Sequence, residues 1–187
     1  MTSVASFYKD ILQLVLSPSR GWDDISEHPI TARLVIEKGF YPLLSIVGIT
    51  AMLNGLYGDA PYSYGRQLQI AITQIVALFG SQMLATAIFE AVLPKVAGCP
   101  KDVNRFTLVC VYCMSLMALI SIITNLCPIQ LALFWFLPLL VAVVAWQARE
   151  FLGVNRFLQG QYVFFAVIVL VIMPIALAYI LGLLIVR

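Results

Sequence analysis

Three groups of side chains in this 187-residue chain have the types and spacing that chemistry would need. Gln82, Thr86 and Glu90 follow at i, i+4 and i+8, so a helix would align them on one face. Gln67, Gln74 and Ser81 form a neighbouring stripe at seven-residue spacing. In so apolar a chain, the face bearing Gln74, Gln82, Thr86 and Glu90 could be a path for an ion or small polar solute, with Glu90 as its acidic mouth. It could also be a seam of hydrogen bonds between helices, with Glu90 reaching to water near Pro94-Lys95. A single carboxylate without a partner in another span is a thin signature of transport, and the balance favours the seam.

The second group is Cys110-x-x-Cys113, two thiols on one helix face with Cys99 eleven residues upstream. A metal or redox centre needs more ligands, and the single histidine, His28, is distant in sequence. These cysteines read as small apolar residues. The third group, Asp23-Asp24, fails as a catalytic pair because adjacent helical residues point about 100° apart; two acids at a helix start complement its dipole. Intramembrane hydrolases and transferases need paired acids or histidines, and the apolar half of this chain offers Glu90 and Glu150 alone. The expectation is a protein that is not an enzyme and holds neither cofactor nor metal.

The elements that carry these groups follow from where charge is missing. Gly39–Gly58, Gln67–Phe89, Phe106–Ala148 and Phe157–Val186 contain no Asp, Glu, Lys, Arg or His and together cover 116 of the 187 residues. A soluble domain needs charge to cover its surface, whereas a bilayer penalises each charge at its centre by several kcal/mol. The chain therefore reads as an all-α integral membrane protein. A span takes about 20 apolar residues at 1.5 Å each. The first two windows fit one span apiece. The third would make roughly 65 Å of helix, so it must reverse, and Asn125-Leu126-Cys127-Pro128 is the place because Pro128 removes a donor and displaces Cys127 from helical geometry. The fourth, at about 45 Å, fits one span with Phe157–Gln161 at the interface. Five transmembrane helices result: Phe40–Tyr57, Leu68–Leu93, Phe106–Asn125, Ile129–Gln147 and Tyr162–Leu184. Pro42, Pro138 and Pro174 fall inside them and would kink them.

Five spans put nine of the eleven Lys and Arg residues on the side of the N-terminus and two on the other. That asymmetry predicts a cytosolic N-terminus and an outward C-terminus, with the first span acting as an uncleaved signal anchor. The cysteines then lack an outward pair and should be free thiols. Net charge is +2 with no dense basic cluster, which gives nucleic acid no footprint.

Residues 1–37 form a cytosolic segment ahead of a membrane domain over 38–187. Val4, Phe7, Ile11, Leu14 and Val15 recur at helical spacing, which predicts an amphipathic helix on the membrane surface or on the bundle. Ser17-Pro18 ends it, Ser19 starts a second helix, and Trp22 and Ile25 share a face that would rest at the headgroups. Phe7, Ile11, Trp22 and Ile25 are thus the candidate contacts to the interface or to a partner. Small residues at four-residue spacing, Ala51 with Gly55, Ala77 with Ser81 and Ala85, and Ala178 with Gly182, suit close helix contact.

The segment Leu16-Ser17-Pro18-Ser19-Arg20-Gly21-Trp22-Asp23-Asp24-Ile25-Ser26-Glu27-His28-Pro29, followed by five spans and an outward C-terminus, resembles the bacterial branch of the Yip (Ypt-interacting protein) family. The resemblance implies a multi-pass protein that works through contacts. Eukaryotic relatives bind Rab-type GTPases through an Asp-Leu-Tyr-Gly-Pro-like element, which this chain lacks, so GTPase binding is not implied. The expected partners are membrane lipids, other membrane proteins or copies of itself. A bacterial cytoplasmic membrane is the expected home, and a small channel or transporter using the second span is the alternative function.

Overall fold

The computed structural model describes residues 4–27, 30–57, 62–127 and 136–185, and these are helical with no strand among them. Two short helices, α1 (Val4–Leu16) and α2 (Pro18–Glu27), precede the long ones. Then come α3 (Ala32–Asn54), α4 (Tyr64–Ala97), α5 (Val103–Leu126), α6 (Leu137–Phe151) and α7 (Arg156–Ile185). Helices α3, α4, α5 and α7 are long and apolar enough to cross a membrane. The expected span Ile129–Gln147 is described only from residue 136, and the 15 residues of α6 make about 22 Å of helix.

Local chemistry sets these boundaries. At the start of α5 the Asp102 carboxylate accepts from the Arg105 backbone N–H at 3.1 Å, a side-chain N-cap. At its other end Cys127 is extended, with φ −87° and ψ 115°, the geometry that a following proline imposes; Pro128 itself lies outside the described residues. Helix α4 ends on Gly98 at φ 59°, and α6 ends in a Schellman motif around Gly153 at φ 66°, where an L side chain would be strained.

The prolines act in two ways. Pro138 sits in the first turn of α6, where a missing N–H is harmless, so it does not kink that helix. Pro42 and Pro174 each lie two residues beyond a π-helical turn, Ile36–Phe40 and Ile168–Ile172. A proline cannot donate to the preceding turn and its ring crowds the carbonyl there, so both helices widen just before it. The first π turn also serves packing: a Cβ on Gly39 would lie 2.6 Å from the Phe7 ring, so the glycine lets α1 come down onto α3.

Helix α5 is the axis of the bundle, with α3, α4 and α6 packed around it and α7 against α4 and α6. In its most apolar window 67% of the residues are buried, against 28% for α7. The outward faces of the long helices are themselves apolar, with Ile49, Leu139, Phe164 and Leu184 among the exposed side chains. A water-soluble bundle presents the reverse pattern, so the surface reads as membrane-embedded. At one end α1 and α2 pack on each other, α2 on α6, and α1 on α5 and the π turn of α3. Gln13 of α1 also donates to Asp24 of α2.

Gly39→Ala is expected to lower the thermal unfolding midpoint of the purified protein, by an overpacking penalty of roughly 1–3 kcal/mol. Adding Phe7→Ala should recover part of that loss by vacating the space. An unchanged midpoint for Gly39→Ala would show that α1 does not dock at this glycine.

Candidate functional site: an aromatic anchor and a polar seam

Phe7, Ile11, Trp22 and Ile25 all point into the molecule, at 5, 3, 2 and 4% exposure. Trp22 is the most tightly held. Its indole N–H donates to the Val144 carbonyl of α6 at 2.9 Å. Its ring stacks on Phe151, centroids 5.2 Å apart, and meets Tyr112 of α5 edge-on at 6.0 Å. Tyr112 in turn stacks on Phe7 at 5.8 Å and donates its hydroxyl to Asp10 of α1 at 3.0 Å. Four aromatic rings thus tie α1, α2, α5 and α6 together. The Trp22 and Ile25 side chains are enclosed by the bundle. Spacing shows that they share a face; it does not show whether lipid or protein covers it.

A second clamp lies beside the first. Asn104, just inside α5, accepts from the Ala32 N–H at 2.8 Å and donates to the Ile30 carbonyl at 3.0 Å. It caps α3 in place of Thr31, whose side chain makes no cap bond. Arg105 donates from Nη1 to the Phe151 carbonyl at 2.9 Å, closing one of the orphan carbonyls at the end of α6.

The structure divides the polar stripe of α4. Gln74 belongs to a seam at the opposite end of the bundle. Its amide pairs reciprocally with that of Asn125, at 3.1 Å and 2.8 Å. Asn125 also lies 3.4 Å from Thr50 Oγ1, and its carbonyl accepts from Asn54 at 3.0 Å. Helices α3, α4 and α5 are joined there. The sequence places Asn125 only at the helix reversal and does not single out Asn54 or Thr50; the available signal was polar side chains, two of them carboxamides, inside or at the end of otherwise apolar windows.

Gln82, Thr86 and Glu90 stay on one side of α4, lower down. Gln82 is buried and reaches Thr86 at 3.4 Å within its own helix, while Glu90 is half-buried. Ser81 Oγ and Gln67 Oε1 are buried without a hydrogen-bond partner among the described residues. Cys110 and Cys113 are fully enclosed free thiols, and Cys99, beyond the end of α4, is a free thiol pushed up in pKa by burial. Among the described residues no three His, Cys, Asp or Glu side chains gather where a metal could sit.

No protein-family model, curated protein or solved structure matches this chain.

If the Gln74–Asn125 pair joins α4 to α5, Gln74→Leu and Asn125→Leu should be coupled in a double-mutant cycle of unfolding in lipid or detergent. The expected coupling is about 0.6–1.7 kcal/mol, from the average to the maximum of such cycles for interhelical hydrogen bonds in membranes. Strictly additive losses would mean that the two amides do not meet.

Proposed function

We propose that the chain is a non-enzymatic, five-span membrane protein that acts through contacts with other membrane proteins, with copies of itself or with lipid. The observation that carries the reading is the Gln74–Asn125 pair: carboxamides that could have lined a path are turned on each other, at 2.8 and 3.1 Å. On this reading the fifth span includes α6. Its Phe151 end lies beside Trp22 and Arg105, as expected of a helix antiparallel to α5. On this reading the N-terminus is cytosolic, the C-terminus outside, and the membrane a bacterial cytoplasmic one. The Yip-like segment from Pro18 to Ile25 supports a related arrangement, with Trp22 and Ile25 serving as its internal anchors.

A second reading draws on the orphaned Ser81 hydroxyl and on Gln82, buried beside it. In a channel or transporter these groups would meet water or a passing solute.

Capture of the tagged protein in native lipid discs, followed by mass spectrometry, separates the two. The contact reading expects a reproducible stoichiometric protein or an enriched lipid. A solitary protein in bulk lipid, with solute flux in liposomes abolished by Gln82→Leu or Glu90→Gln, would replace it with the second reading.

A further inference from the structure

Two clefts adjoin at the end of the bundle that carries α1 and α2. The first has a volume of about 310 Å³ and is lined by Ser26, Asp102, Arg105 and Phe151, together with Thr31 and Asn104. The second, of about 580 Å³, runs between α3 and α5 over Ile36, Tyr41, Val103 and Thr107, with the ion-paired Arg33 and Glu37 also in its lining, and shares Thr31 and Asn104 with the first. Val103 and Thr107 are one turn apart on α5, and Ile36 and Tyr41 descend α3 beside them. The second cleft therefore runs from the helix ends towards membrane depth.

The chemistry of the first cleft is zwitterionic. Asp102 and Arg105 stand together, with side chains 43% and 47% exposed. The guanidinium is held by Nη1 on the Phe151 carbonyl at 2.9 Å, by Nε at 3.3 Å from Asp102, and by the Phe151 ring 5.4 Å from its carbon. One of its five N–H groups is hydrogen-bonded and Nε faces Asp102, which leaves a pre-oriented donor set that suits a phosphate. Asp102 accepts from the Arg105 backbone N–H and is ion-paired with Nε, and an ionised carboxylate keeps room for further donors. A neutral Ser or Asn would cap α5 as well, so the cap alone does not call for a charge here. A purely anionic ligand would meet the Asp102 carboxylate, whereas a ligand carrying both a phosphate and an N–H cation complements both groups.

We propose that the paired clefts hold one phospholipid of the phosphoethanolamine class. Its phosphate takes the free N–H groups of Arg105, its primary ammonium donates to Asp102, and an acyl chain lies along the α3–α5 groove. The first cleft falls at the small end of ligand pockets, roughly 300–1,000 Å³, as a headgroup requires. This inference rests on the contact reading above and gives that reading a lipid.

The test uses the full chain, purified in detergent and stripped of lipid. Phosphatidylethanolamine, phosphatidylglycerol and phosphatidylcholine with identical acyl chains are added in turn, and bound lipid is counted by native mass spectrometry. One phosphatidylethanolamine should be retained with about tenfold preference, since choline has no N–H for Asp102 and glycerol no cation. Asp102→Asn keeps a capping side chain and should erase the preference over phosphatidylcholine. Arg105→Gln should lose retention, and Thr107→Trp should lose it by filling the groove while leaving the headgroup cleft intact. Equal retention of the three lipids, or an Asp102→Asn variant that still prefers phosphatidylethanolamine, overturns the proposal. If a protein partner is nonetheless captured from native discs, the contact reading survives and only the lipid assignment falls.

Discussion

A polar group inside hydrocarbon has no water to turn to, and each one left alone costs several kcal/mol, so it must find its partner within the molecule. Much of this structure follows from that demand. The Trp22 indole reaches Val144, the Tyr162 hydroxyl donates to the Ala145 carbonyl at 2.7 Å, and Ser115 returns its proton to Val111 one turn back at 2.7 Å. Gln74 and Asn125 answer each other across α4 and α5. Helix carbonyls serve as acceptors because each keeps a second lone pair after its intrahelical bond. The two aromatic donors use that spare capacity to bind α2 and α7 to α6 without adding a buried charge.

Function follows from the same rule. With the buried carboxamides of Gln74 and Asn125 and the aromatic donors Trp22 and Tyr162 answered internally, the surfaces left for interaction are the lipid-facing flanks and the rim at the helix ends. The rim is the chemically richer of the two. Asn104 and Arg105 hold the starts of α3 and α5 and the end of α6 in register, and the zwitterionic cleft opens beside them. Because α1 and α2 are locked down by the aromatic cage, that rim has a fixed shape. Ser81 Oγ and Gln67 Oε1 depart from the rule, and the orphaned Ser81 hydroxyl is the reason a transport role keeps a specific residue to its name.

Much of the architecture could be read before any coordinates. Charge-free windows located α3, α4, α5 and α7, and Cys127 is extended as a pre-proline residue should be. Helical spacing gave α1 and its apolar stripe of Phe7, Ile11 and Leu14. The length of α4 was less legible: it runs from Tyr64 through Pro94 to Ala97, because a proline near a helix end removes a bond that the last turn can do without. The kinks expected at Pro42 and Pro174 take the form of π turns, and Pro138 bends nothing because it stands in a first turn. The site was harder still. An amphipathic helix bearing a tryptophan has the same pattern whether that ring meets headgroups or a protein core, and only the facing residues Tyr112, Val144 and Phe151 decide between them. Asn125 and Gln74 lie 51 positions apart, and no periodicity within one helix connects them.

The central claim is that α1 and α2 belong to the bundle and are held there by Trp22. Amide hydrogen exchange of the full chain in lipid discs tests it most directly. The account predicts that α1 and α2 are protected to the level of the neighbouring half of α5, and that Trp22→Ala releases both while the long helices stay protected. Rapid exchange of α1 and α2 in the unmodified protein, with the spans still protected, would contradict it and return Trp22 to the membrane surface.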